Sequence, residues 1–209
     1  MMPIIAVDGP AASGKGTIAR ALARALGLPH MDTGLLYRAV ALNLWRWGGD
    51  PSSEFEALRA AAELGFDPDD PELRSEPVSR IASAISAYPS VRAALRERQQ
   101  EFAGQPGGAV LDGRDIGTVI APDADVKLFV TASPEVRAQR RVRELLQRGM
   151  TAHYEDVLLD IRARDERDSN REVAPLKQAP DASLLDTSNL DAEQAIAEAL
   201  RLVREKVEA

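Results

Sequence analysis

The chain has 209 residues, of which 44% are hydrophobic, a formal net charge of −7 and no cysteine, which is ample material for a buried core. The acidic balance disfavours a nucleic-acid polymer or a membrane surface as partner, because either polyanion is repelled by the whole-molecule field, so any anion site must be local. Without cysteine there is no disulfide framework or thiolate metal site, two histidines are too few for a zinc cluster, and no basic leader or long unbroken apolar run is present. The expectation is a cytoplasmic protein.

Short apolar runs with β-branched residues recur along the chain: "PIIAVD" (3–8), the weaker "PHMD" (29–32), "GAVLD" (108–112), "DVKLFVTA" (125–132) and "ASLLDTS" (182–188). Helical patterns separate them, which predicts an α/β fold with a parallel sheet and ligands at the carboxyl ends of the strands. After the first run comes "GPAASGKGT", then "TIARALARALG", in which Ile18, Ala21, Leu22, Ala25 and Leu26 share one predicted face and Gly27 is a natural stop. Residues 36–88 break the alternation with mainly helical segments, as does a second stretch, about 143–164. The last helical pattern opens with Asp191 and, three residues on, Gln194, the spacing of a capping box.

Gly9 to Thr17 carries the first chemistry. Consecutive backbone N–H groups can turn inward around phosphate oxygens only where side chains do not block the approach, and Gly9 and Gly14 have the spacing this needs. Lys15 adds a cation for the β and γ phosphates, and the following helix directs its positive end at the same anion. Gly16 stands where a magnesium-coordinating hydroxyl is usual, with Thr17 one residue later. Mg2+ accompanying ATP is then expected to be held by phosphates and water, with no protein ligand. The "GKGT" spelling resembles the nucleoside monophosphate kinases.

Transfer between two small polyanions requires a second cationic pocket. "DTGLLYR" brings Thr33 and Arg38 after the second strand, and "DGRDIGT" brings Asp112, Arg114 and Asp115 after the third. Arginine suits this role because its planar fork grips phosphate at two points. In "VLLDIRARDERDSNR" (157–171), Val157, Ile161, Arg164, Asp168 and Arg171 follow helical spacing, so one face passes from apolar to charged. The two histidines, His30 and His153, read as surface or packing residues, and Trp45 and Trp47 as packing.

Together "DGPAASGKGT", "DTGLLYR", "YPSVRAALRERQ", "DGRDIGT", "RDERDSNREVAPL" and "LLDTSNL" resemble, in content and order, the bacterial cytidylate kinases, which pass the γ-phosphate of ATP to CMP or dCMP. The resemblance implies a five-stranded P-loop kinase core (1–35, 89–142 and 165–209), a CMP-binding insertion (36–88) and a lid (143–164). It implies that Gly9, Pro10, Ala11, Ala12, Ser13, Gly14, Lys15, Gly16 and Thr17 hold ATP, with Lys15, Arg140, Arg143 and Arg171 acting on the moving phosphate. Arg38 and Arg114 would grip the CMP phosphate; Ser83, Arg92 and Asp115, with Thr33 nearby, would read cytosine; Arg164 and Asp168 would lie at the sugar. A monomer is expected.

One departure concerns the segment before "SEPVSRIASAIS". Many members carry a longer, strand-rich connection there, whereas here it is only "DPDDPELR", whose prolines and aspartates disfavour a hairpin. Two alternatives stay open: another P-loop kinase acting on UMP, AMP or a non-nucleotide acceptor, and a nucleotide-binding module without transfer activity. The Asn-Lys-x-Asp base-reading motif typical of GTPase switches is absent.

Overall fold

The computed structural model describes residues 2–65 and 67–207. They form two compact units, residues 1–31 with 103–209 and residues 32–102. The first holds most of a five-stranded sheet, β1 (Ile4–Asp8), β2 (His30–Asp32), β3 (Ala109–Gly113), β4 (Val126–Thr131) and β5 (Ser183–Asp186), in the spatial order β2-β3-β1-β4-β5. β1 runs parallel to β3 on one side, Ile4 opposite Ala109 through Asp8 opposite Gly113, and parallel to β4 on the other, Ile5 opposite Val126 through Asp8 opposite Phe129. β4 pairs in parallel with β5. Ile5, Ala6 and Val7 are wholly buried, as a central parallel strand covered on both faces requires, which is why its sequence is a continuous apolar run.

Helix α1 (Lys15–Leu26) ends where the Gly27 N–H returns to the Ala23 carbonyl with Gly27 in the left-handed conformation, φ 67°. Its buried residues are Ile18, Ala19, Leu22 and Ala23, so the predicted stripe is right at Ile18 and Leu22 but Ala25 faces solvent. Alanine lines both flanks of this helix, and apolar spacing alone does not say which flank meets the sheet. Ile18 and Leu22 pack with Ile5, Val7, Val110, Leu128, Val130 and Leu185. The final helix, α8 (Ala192–Val207), adds Ala195, Ala199 and Val203 to the same core. Its start is the expected capping box: Gln194 N–H donates to Asp191 Oδ1 at 2.8 Å and Asp191 N–H to Gln194 Oε1 at 3.0 Å.

Residues 32–102 are helical: α2 (Thr33–Arg46), α3 (Glu54–Ala62), α4 (Glu76–Ile85) and most of α5 (Pro89–Ala103). Ser53 caps α3 by accepting the Glu56 N–H, and Ser75 caps α4 by accepting that of Val78, each satisfying a backbone donor that a helix start leaves free. The "DPDDPELR" connection is a 3-10 turn at Pro71–Arg74, with Asp70 accepting the Glu72 N–H at 3.0 Å. Trp45 and Trp47 are 54% and 47% exposed, less packed than expected; the Arg59 guanidinium lies 5.3 Å from the Trp47 ring centre.

Back in the first unit, β3 is followed by a π-helical turn, Ile116–Ile120, and β4 by α6 (Pro134–Gln147) and α7 (Tyr154–Asn170). Ala138, Leu158 and Ile161 join these two helices, with Ala12 packed against the cluster. The stretch 143–164 is thus the end of α6, a short connection and the larger part of α7. No helix among the described residues is long and apolar enough to cross a membrane.

Candidate active site

The 9–14 loop leaves β1 at its carboxyl end and runs directly into α1. Gly9 has φ 153°, and a Cβ there would stand 2.0 Å from the Val130 carbonyl oxygen of β4; Gly14 has φ 91°. Both positions therefore demand glycine for reasons the sequence pattern implies only in part. Donors from elsewhere hold the loop carbonyls outward. Arg137 Nη1 donates to Ala11 O at 3.2 Å, Arg140 Nη1 to Ser13 O at 3.3 Å and Thr187 Oγ1 to Ser13 O at 3.1 Å. A trans peptide directs its N–H opposite its C=O, so outward carbonyls turn the intervening N–H groups the other way, as an anion cradle needs. Lys15 Nζ reaches back to Pro10 O at 3.4 Å, which lays its ammonium over the loop.

Asp8, the last residue of β1, is buried beside this loop and accepts backbone N–H bonds from Ile116 and Gly117, each at 2.8 Å. Burial outweighs those bonds and pushes its carboxyl up to about 6. One carboxylate thus ties the phosphate loop's root to the turn after "DGRD".

That turn starts from a compact charged group. Arg114 Nε donates to Asp168 Oδ2 at 2.8 Å, and Arg171 Nη2 lies 3.8 Å from Asp115 Oδ1. Burial opposes ionisation of Asp168, but the Arg114 guanidinium, with Arg171 and Arg164 beyond it, prevails and holds the carboxyl below its ordinary value. Burial, then the charge of Arg114, lowers Arg164 in turn. Arg171 Nε is held by the Ala174 carbonyl at 2.6 Å, and Ala174 has φ 52°, a conformation sparsely used by residues with side chains. Three guanidiniums gather here on Asp168 and Asp115, with Asp160 and Arg141 also acting on Arg164, and guanidinium forks in a poorly solvated place are the donors that an anion receptor requires.

The structure gathers Arg164, Asp168 and Arg171 of the α7 stripe with Arg114 and Asp115 from the turn after β3. Arg140 donates to Thr187 Oγ1 (2.9 Å), Thr187 O (2.6 Å) and Leu190 O (3.3 Å) besides Ser13 O. Arg143, close enough to lower Arg140 further after burial has done so, lines a cavity with Gln139, Leu146 and Tyr154. Within 32–102, Thr33 and Ser83 are buried. Arg38 donates to Leu73 O at 3.0 Å and Ser79 Oγ at 3.2 Å. Arg92 donates to Ser86 O at 3.2 Å, with its guanidinium carbon 5.6 Å from the Tyr37 ring centre.

Three residues escape the sequence reading. Asp8 has no distinguishing spacing. Thr187 is recognisable only from the carbonyls it bonds. Arg137 is a charge bordering the packing stripe of α6, the same signal that singles out Asp168, and it is 3% exposed. The two histidines are as expected: His30 Nε2 bonds Asp112 Oδ1 at 2.7 Å in a packed position, and His153 is exposed. Among the described residues no group of three or more histidine and acidic side chains is placed to hold a metal.

A sequence model of cytidylate kinases matches residues 5–205. The cytidylate kinase of Xanthobacter autotrophicus is 59% identical over 96% of this chain and 96% of its own length, and that of Paramagnetospirillum magneticum is 55% identical over 99% and 100%. Among solved structures, an uncharacterised protein from Eubacterium ventriosum superimposes with a TM-score of 0.60 at 12% identity over 97% of this chain and 99% of its own. A shikimate kinase from Bacteroides thetaiotaomicron does so with 0.53 at 17% over the full length of both. These two likenesses show a shared fold, the second of them with a kinase, and the far higher sequence identities, sustained from end to end, go further: the chain belongs to the cytidylate kinase family.

Proposed function

We propose that the protein transfers the γ-phosphate of MgATP to CMP or dCMP, giving ADP and CDP or dCDP. The observation that carries the reading is the set of three guanidiniums, Arg114, Arg164 and Arg171, around Asp168 and Asp115, in the same unit as the phosphate loop.

ATP phosphates are cradled by residues 9–17 with Lys15. Arg38 and Arg114 bind the acceptor phosphate, and Arg164 and Asp168 hold the sugar. Ser83, Arg92 and Asp115, with Thr33 nearby, read the base. Cytosine offers an amine donor beside acceptors, so a carboxylate, a guanidinium and a hydroxyl complement its edge. Uracil would leave Asp115 facing a carbonyl, and an unpaired buried polar group costs about 1–3 kcal/mol, roughly a five- to hundredfold preference for cytosine.

An oxygen of the acceptor phosphate attacks the γ-phosphorus while the bond to the β,γ-bridging oxygen breaks, and the electron pair leaves on ADP. The attacking oxygen is already ionised near neutral pH, so no general base is needed. Alignment and charge stabilisation fall to Lys15, Arg140, Arg143 and Arg171. Gly16 offers no hydroxyl to a metal, and the described residues hold no cluster of acidic and histidine side chains placed to hold one, so magnesium would be carried by the phosphates and by water. The ion supplies neutralisation of phosphate charge. We place the enzyme in the cytoplasm as a monomer, for which light scattering should return the mass of one chain.

Steady-state rates with CMP, dCMP, UMP and AMP under saturating MgATP test the assignment. The two cytidine nucleotides should lead; AMP as preferred acceptor would overturn it.

A further inference from the structure

Arg137 sits on α6, 3% exposed, and donates from all three nitrogens of its guanidinium. Nε donates to Ala132 O at 2.9 Å, Nη1 to Ala11 O at 3.2 Å and to Asp165 Oδ1 at 2.9 Å, and Nη2 to Asp165 Oδ2. Ala11 belongs to the phosphate loop. Asp165 belongs to α7, next to Arg164 and one turn before Asp168. A single rigid fork therefore spans the donor loop and the helix assigned to the acceptor sugar. The apolar contacts of Ala138, Leu158 and Ile161 with Ala12 run alongside it, so the connection is packed as well as charged. A solvated ion pair would not have this anatomy: Asp165 is 26% exposed on its side chain, but its partner is buried, and a buried guanidinium deprived of its carboxylate is strongly disfavoured. A bidentate arginine–carboxylate pair also fixes orientation, which a lysine's point charge does not.

We infer that Arg137 and Asp165 are positioning residues that couple occupancy of the phosphate loop to the placement of α7, so that donor nucleotide prepares the arm carrying Arg164 and Asp168. Arg137 touches no reacting atom. When phosphates fill the loop and draw in its N–H groups, the peptide of Ala11 is fixed, its carbonyl fixes Arg137, and Arg137 fixes Asp165. By reciprocity an acceptor held by α7 favours donor binding to the same degree. The inference rests on the proposed assignment of 9–17 to the donor and of α7 to the acceptor.

Hydrogen–deuterium exchange with and without ADP reads the coupling without any acceptor. In the unaltered protein ADP should slow exchange in residues 9–26 and also, by about fivefold or more, in α7, a coupling of ordinary size. In Asp165→Asn the protection at 9–26 should persist while that in α7 is lost. Arg137→Lys, which keeps the charge but not the fork, should behave alike and serves if the first variant does not fold. Equal α7 protection in the variants, or none in the parent, overturns the coupling. Absence of protection at 9–26 in the parent overturns the donor-site assignment itself, and the coupling with it. In steady state with the preferred acceptor, the variants should raise its KM and lower kcat together while the MgATP dissociation constant changes less than about twofold; a loss of thermal stability with kinetic constants unchanged marks a merely structural pair and likewise overturns the inference.

Discussion

Arg114 and Asp168, separated by 54 positions, meet through a 2.8 Å hydrogen bond from Nε to Oδ2. The bond uses one edge of the guanidinium, and Asp168 is simultaneously drawn toward Arg171 and Arg164. Arg114→Met should therefore do two things at once: remove the proposed acceptor-phosphate ligand and release Asp168 from the partner that keeps it ionised. KM for CMP is expected to rise at least tenfold with MgATP affinity little changed. Asp168→Asn should give a smaller rise, because the amide oxygen still accepts from Arg114 while the charge is gone. Steady-state kinetics with each substrate varied in turn checks both, and a larger effect on MgATP than on CMP would contradict the placement.

Asp8 yields a prediction in pH. Its carboxyl is raised from 3.8 to about 6, chiefly by burial, with the backbone N–H groups of Ile116 and Gly117 opposing, Asp115 adding to the rise and Lys15 reducing it. For a group whose folded value is raised, the folded state binds more protons than the unfolded one between the two values, so its contribution to stability is fully present below about 4 and is lost as pH rises through 6. Across that window the shift of about two units corresponds to about 3 kcal/mol. Asp8→Asn cannot titrate. The difference in unfolding free energy between parent and variant should change by that order, in the parent's disfavour, from pH 4 to pH 7. Urea denaturation at closely spaced pH values measures it, and a difference independent of pH would refute it.

Gly9 gives a test of the loop. A methyl group there would fall 2.0 Å from the carbonyl oxygen of Val130, in the backbone of β4, which has no flexible end to move aside. Gly9→Ala should lower stability by about 4 kcal/mol or more, the range reserved for overpacking and backbone strain. Gly27→Ala meets no neighbouring atom and bears only the cost of φ 67°, so its melting temperature should fall far less. Thermal melts of the two variants side by side decide the matter.

How much of the fold is legible in the sequence follows the range of the physics involved. The strands and α1 are local: apolar runs, β-branched in β1, β3 and β4 but only weakly marked at β2, end near Gly, Pro or Asp, and a capping box needs only Asp191 and Gln194 three positions apart. Glycine demand at Gly9 and Gly14 is likewise local, although the oxygen that enforces it at Gly9 belongs to another strand. Arg137 with Asp165, Asp8 with Ile116 and Arg140 with Thr187 lie 28, 108 and 47 positions apart. No periodicity links such pairs; they are chosen by the sheet order and by where buried carbonyls need donors. For the same reason Arg140 enters, through the family resemblance alone, only as a cation near phosphates, whereas the fold also makes it the clasp of the 187–190 loop.

Arg171 is the sharpest test of the chemistry. It ends α7, is anchored at Nε by the Ala174 carbonyl and directs Nη2 toward Asp115 at 3.8 Å. The anchor fixes one edge of the guanidinium and leaves the other edge near the group assigned to the acceptor. In the role proposed for it, a positive charge so held would cost little to reorganise as negative charge builds on the equatorial oxygens of the moving phosphoryl group, and its benefit would fall mainly on the transition state. Arg171→Ala should reduce kcat by about a hundredfold or more, the usual scale for losing one electrostatic partner of a transition state, while the MgATP dissociation constant stays within about threefold. Arg171→Lys should recover only a small part, since the ammonium cannot bond Ala174 and face the phosphoryl group together. Single-turnover measurements separate the chemical step from product release, and an unchanged chemical rate in Arg171→Ala would remove this residue from the reaction.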